Sequence, residues 1–153
     1  MQSRKITLIA SILILGLFTV AYGQSSKNYQ LQILKYTNQF RSSHGLPALS
    51  LDENAGSLAQ KHSRDMASRR AGFGHGGFQQ RTNQLRSVYG RGIATGENVA
   101  YGKLSAKEVV NIWIHSKPHR KNLLGNFNKI GIGTASDRQG IIFFTQLFVR
   151  TRL

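Results

Sequence analysis

The chain of 153 residues contains no cysteine. That excludes disulfides, a thiolate nucleophile, cysteine-ligated metal and a lipid anchor on a cysteine. A domain of this length has to be held by its apolar core, which is feasible at this size. Proline is nearly absent, with two residues, and acidic residues are scarce: six against 21 lysines and arginines. No Asn-x-Ser/Thr acceptor occurs, so N-linked glycosylation is not expected. Apolar runs are also scarce. The one long run covers 6–20, follows Arg4 and Lys5, and precedes the small residues Ala21 and Gly23. It is shorter than the roughly 20 residues a spanning helix needs. The pattern predicts a secretory signal peptide over 1–23, cleaved near Gly23/Gln24, a polar lead over 24–27, and one domain over 28–153. The expected destination is extracellular or periplasmic.

The formal net charge is +15, two of it from Arg4 and Lys5. Such a balance favours contact with polyanions. The basic residues are dispersed, with small clusters at Arg69-Arg70 and Arg120-Lys121, and no aromatic residues alternate with them as a single-strand binder requires. Nucleic acid is therefore disfavoured as a partner. Anionic envelope material, lipid or glycan, suits a solvated basic surface better. Nothing in the sequence specifies an oligomeric state.

From Asn28 onward Leu31, Leu34 and Phe40 follow helical spacing, and Gly45 ends the pattern. Ser50 and Glu53 have capping-box spacing ahead of a helix with Leu51, Ala55, Leu58, Ala59, His62 and Met66 on one face, expected to reach about Arg69. Half of the 16 glycines fall within 71–102, a stretch expected to be irregular with a short helix near 82–89 and a strand around Glu97. Ser105 and Glu108 form a second capping box. The helix behind them is expected to bury Val109, Ile112 and Trp113 and to stop at Pro118, with a loop after it. Residues 129–135 and 140–150 read as two strands of a hairpin. The order predicts an α+β domain with helices on both faces of a small, mainly antiparallel sheet.

The residues of chemical interest are His75, set among Gly74, Gly76 and Gly77; Glu97, in the segment TGENVAYG; and His119, just past Pro118. Burying a lone carboxylate in a strand is costly unless it is paired. Two histidines and a carboxylate can ligate a divalent metal or act as base and orienter. His62 reads as a core or pocket-edge residue and His44 as a helix-end cation. His115 and His119 are four apart, but Pro118 breaks the helix between them, so they are not paired as ligands.

In order along the chain, LPALSLDENAGSLAQKHSRDMA, FGH, TGENVAYG, VVNIWIHSKPHRKNLL, KIGIG and FFTQLFV resemble the CAP superfamily (cysteine-rich secretory proteins, antigen 5 and pathogenesis-related proteins of class 1), and its bacterial SCP-like branch in particular. The resemblance covers about 28–150. It implies a three-layer α-β-α sandwich and a cleft carrying two histidines and two acidic residues. His75, Glu97 and His119 match three of those four. The fourth position, three residues after Trp113, is Ser116. The resemblance implies a metal set of His75, Glu97 and His119, zinc being favoured over calcium, and the missing carboxylate implies weak binding. The expected function is a secreted binding module for a lipid, glycan or envelope component. The alternative is a metal-assisted or serine hydrolase drawing on His75, Glu97, Ser116 and His119. Against serine chemistry, no GxSxG elbow is present, and the expected position of Ser116 at a helix C-terminus would oppose an oxyanion.

Overall fold

A computed structural model of the chain describes residues 26–152; the expected leader and its cleavage point lie outside the described residues. Helix α1 covers 26–42. Then follow β1 (Ser50–Leu51), α2 (Glu53–Ala67), α3 (Phe78–Tyr89), β2 (Ala94–Gly102), α4 (Ala106–His115), α5 (Lys117–Leu123), β3 (Lys129–Ser136) and β4 (Ile142–Arg150). The strands form one sheet in the order β1-β3-β4-β2. β2, β3 and β4 pair antiparallel, and the two-residue β1 runs parallel to β3. Helices cover both faces, so the α+β sandwich expectation holds.

Strand alternation explains the two cores. On β4, Phe144 and Phe148 point toward α1, α4 and α5, where Ile33, Val109, Val110, Trp113 and Leu123 are buried with them. Leu147 and Val149 point the other way, to Ala55 and Ala59 of α2 and Leu85 of α3. α2 lies unusually close to β3. A Cβ on Gly131 would sit 2.0 Å from the Ala55 carbonyl carbon, and one on Gly133 would sit 2.3 Å from that of Ala59. Only glycine leaves room for that approach.

Several local expectations need correction. Asp52, not Ser50, caps α2: its side chain accepts from Ala55 N at 2.9 Å, because Ser50 and Leu51 are drawn into the sheet beside β3. α2 ends at Ala67 rather than Arg69. α3 begins at Phe78, four residues before its expected start. On α1, Ile33 is buried while Leu31 is 49% exposed; on α4, Ile112 is 45% exposed and Val110 takes the buried place. The Ser105/Glu108 capping box forms as expected. The expected loop after Pro118 is instead helix α5. Proline is tolerated in a helix's first turn, where its missing N–H is not needed.

One charge has no acidic partner in this core. Arg41, 1% exposed, donates from Nε to Pro47 O, from Nη1 to Leu123 O and Gly125 O, and from Nη2 to Phe127 O. It fastens the end of α1 to the segment after α5, and burial pulls its pKa below the usual arginine value.

Candidate functional site at the edge strand β2

β2 is an edge strand, so segments from both layers can meet around it. Glu97 projects from β2 toward the α2–α3 side, in the same alternation as Val99. Its side chain is 1% exposed. Three hydrogen bonds hold the carboxylate: Arg81 Nε to Oε2 at 2.7 Å, Arg81 Nη2 to Oε1 at 2.8 Å, and His75 Nδ1 to Oε1 at 2.9 Å. A carboxylate already gripped by a guanidinium is an acceptor, so His75 donates through Nδ1 and turns Nε2 outward. The His75 side chain is 51% exposed. Arg81 also donates Nη1 to Gly76 O at 3.0 Å, tying the glycine loop to α3.

The loop is held at a second point. His62, buried on α2, bonds Gly74 O through Nε2 at 2.8 Å. The partner is a carbonyl, so this nitrogen carries the proton. Burial pulls the His62 pKa down, against the opposing effect of the Gly74 carbonyl. His62 is thus a strut under the loop that carries His75, consistent with its expected place at a pocket edge.

His119 arrives from the other layer on α5. Its main chain is placed by buried amides. Gln146 donates to Thr37 Oγ1, Asn98 donates to Gln146 Oε1 and to His119 O, and Asn122 donates to Asn98 Oδ1 and to Glu97 O. Gly96 makes room: a Cβ there would lie 2.9 Å from Asn122 Oδ1. Burial lowers the His119 pKa, and the charge of His75 lowers it further. His119 Nδ1 is buried with no hydrogen-bond partner, so Nε2 is the nitrogen within reach of a ligand.

Ser116 sits at the α4–α5 junction. It is both the C-cap of α4 and the N-cap of α5, and its carbonyl accepts from Arg120 N at 2.8 Å. The expectation of a helix C-terminus alone is therefore half of the picture. No hydrogen bond among the described residues joins the Ser116 hydroxyl to His119 or Glu97.

As three donors to one ion, the expected metal set fits poorly. Both Glu97 oxygens are bonded to Arg81, and among the described residues no group of three His, Asp or Glu side chains is arranged to hold a metal. Two outward imidazole nitrogens remain, with Glu97 behind His75, the arrangement a carboxylate adopts when it orients a metal-bound histidine.

Sequence reasoning missed Arg81, Asn98, Asn122 and Gln146. Placing the start of α3 at Phe78 would have brought Arg81 into the first helical turn, within reach of the strand that follows. The amide network had no comparable local signal.

A profile of the Cysteine-rich secretory protein family, CAP, matches residues 34–148. The chain is 34% identical over 118 residues to the Bacillus subtilis protein YkwD, covering 75% of this chain and 46% of that one. Among solved structures it resembles an extracellular protein containing an SCP domain from Bacillus anthracis, at TM-score 0.70 and 30% identity, covering 82% of this chain and 41% of that one. An outer surface protein of Borrelia burgdorferi shares the fold at TM-score 0.66 and 23% identity, over 78% of this chain and 90% of that one. The chain spans less than half the length of the Bacillus proteins it matches. With the fold and the profile match in agreement, the chain belongs to the cysteine-rich secretory protein (CAP) family.

Proposed function

We propose that this CAP domain is a secreted binding module whose ligand docks beside the edge strand β2, against His75 and His119. The observation that carries the reading is the state of Glu97. It is spent on Arg81 and on orienting His75, so the site offers two directed imidazole nitrogens over a rigid, internally neutralised base. This suits holding a polar group better than running a proton relay, and among the described residues no hydroxyl nucleophile is bonded into it. Exposed rings beside the site support a lipid or glycan ligand. Phe73, two residues before His75, is 51% exposed and lies edge-on to Tyr101 at 4.7 Å; Tyr101, 56% exposed, stacks on Phe143 at 5.7 Å. Such rings favour packing against a sugar face or an acyl chain. Secretion is supported by the extracellular SCP-domain relative and by the leader-like N-terminus; among the described residues no helix is long and apolar enough to cross a membrane.

A divalent cation belongs to this reading only as a weakly held group. His75 Nε2 and His119 Nε2 would hold it, fewer protein ligands than a lasting zinc site uses. Bound there, it would supply a Lewis-acidic contact for a ligand oxygen.

The test is retention on arrays of envelope glycans and lipids, comparing the wild-type chain with a His75→Ala/His119→Ala variant of unchanged melting temperature. Loss of retention in the variant is expected, and the arm that responds names the ligand class. Equal retention of the two proteins removes the proposal. A zinc-dependent rise in melting temperature that vanishes in the same variant is expected for the metal; no rise at about tenfold excess over protein removes the metal alone.

A further inference from the structure

Away from the His75–Glu97 site, the C-terminal end of α2 and the β3–β4 hairpin enclose a cleft of about 560 Å³ lined by Arg64, Arg69, Arg70 and Arg138. That size falls within the range of small-ligand pockets. Four arginines lining one concavity repel one another unless an anion or solvent lies between their charges. Local acids compensate them only in part. Asp65 pairs with Arg70 at 3.2 Å and with Lys61 at 2.6 Å. Asp137, which also lines the cleft, commits Oδ1 to the backbone N–H groups of Gln139 and Ile141 in its own turn. Among the described residues Arg64, Arg69 and Arg138 enter no ion pair with an acid. Arg64 makes only a long 3.4 Å bond from Nε to Gln60 O.

The backbone adds an independent observation. Arg69 has φ 59°, and it is the one non-glycine among the described residues with positive φ. It occupies the position just past the cap of α2, its N–H bonded to Met66 O. Glycine is the residue this position favours, because a Cβ is strained there. An arginine at a site where glycine would be more stable is a local rule broken, and such departures concentrate at functional positions.

The geometry points to this cleft as a phosphate-binding site, for a multiply charged phosphate ligand, free or carried on a lipid headgroup. Planar guanidinium groups bind phosphate oxygens in pairs, and several arginines lining one cleft match a polyphosphate or clustered headgroups better than a singly charged carboxylate. The site is independent of the His75–His119 reading: it lies on other residues and its test leaves those histidines intact.

The experiment compares three full-length proteins: wild type, Arg69→Gly/Arg138→Ser, and a control, Lys107→Ser/Lys121→Ser, that loses the same charge from α4 and α5. Arg69→Gly suits the backbone at its position, so a binding loss in the double variant does not arise from unfolding. Inorganic tripolyphosphate is titrated calorimetrically at low salt, and co-sedimentation is measured with vesicles of phosphatidylglycerol and phosphatidylcholine against phosphatidylcholine alone. The cleft variant is expected to weaken tripolyphosphate binding by about tenfold or more while the control stays within about twofold of wild type. If vesicle binding is lost with the same variant and competed by tripolyphosphate, the phosphate is a headgroup; if vesicle binding does not respond, it is a free phosphate. A control that loses as much as the cleft variant, or a wild type that binds neither probe, overturns the site.

Discussion

Arg81 and Glu97 form a two-pronged ion pair, Nε to Oε2 at 2.7 Å and Nη2 to Oε1 at 2.8 Å, with side chains 10% and 1% exposed. This pair makes a carboxylate tolerable in a buried strand. His75 is the smaller partner, held by Glu97 more than it holds Glu97. The site is therefore anchored by a residue on α3 that makes no claim on a ligand, and the exposed imidazole takes its direction from that anchor.

Removing one member of the pair strands the other. Arg81→Ala is expected to cost about 3–5 kcal/mol in denaturant unfolding, because Glu97 loses its cation while staying buried. Arg81→Leu with Glu97→Leu is expected to cost clearly less than Arg81→Ala. A single variant as mild as the double one would show that the pair does not act as a unit.

Arg41 is expected to be at least as sensitive. Arg41→Ala removes the guanidinium donor from the carbonyls of Pro47, Leu123, Gly125 and Phe127, of which Gly125 O keeps the Phe127 N–H. The expected loss is about 3 kcal/mol or more, read from the urea midpoint. Arg41→Lys is expected to recover little, since an ammonium cannot span the same set of carbonyls.

The glycines of β3 and α2 should respond in opposite directions. Gly131→Ala and Gly133→Ala force α2 off the sheet and are expected to cost about 2–3 kcal/mol or more, with a fall in melting temperature. Gly56, on α2, has open space where its Cβ would lie, so Gly56→Ala is expected to stabilise by up to about 1 kcal/mol. Equal effects at the three positions would contradict the close approach of α2 to β3.

Asp52 sets an acid limb in the stability profile. Burial pushes its pKa up, but the Ala55 N–H, the Tyr89 hydroxyl and Lys129 at 3.1 Å together outweigh that and leave it below the usual value. A depressed folded pKa means the stabilisation is fully present above the unfolded value, near 4, and is lost as pH falls through the folded value. The stability gap between wild type and Asp52→Asn is expected to be widest near pH 7 and to close below about pH 4. A gap that does not change with pH would rule out this role for Asp52.

Much of the fold was legible because its signals are local. The Ser105–Glu108 box, the alternation along β3 and β4 and the helical period of α2 each report their own element over a few residues. Where a local signal had two uses, the sequence was ambiguous. Pro118 can end one helix or open the next, and the neighbouring chain led it to open α5. Ser50 can cap α2 or join a strand, and pairing with β3 left the capping to Asp52.

The sequence by itself determined that His75, Glu97 and His119 are the residues to watch, that Ser116 stands where a fourth acidic group is expected, and that the core must hold without disulfides. Only the tertiary structure decided what Glu97 is for. Its partner Arg81 lies 16 positions back on another element, and His119 is set in place by amides drawn from β4, β2 and α5, themselves held to the Thr37 hydroxyl of α1. Residue type records what a side chain can bond, but which bond forms depends on distances that exist only once α3, the edge of β2 and α5 have packed together.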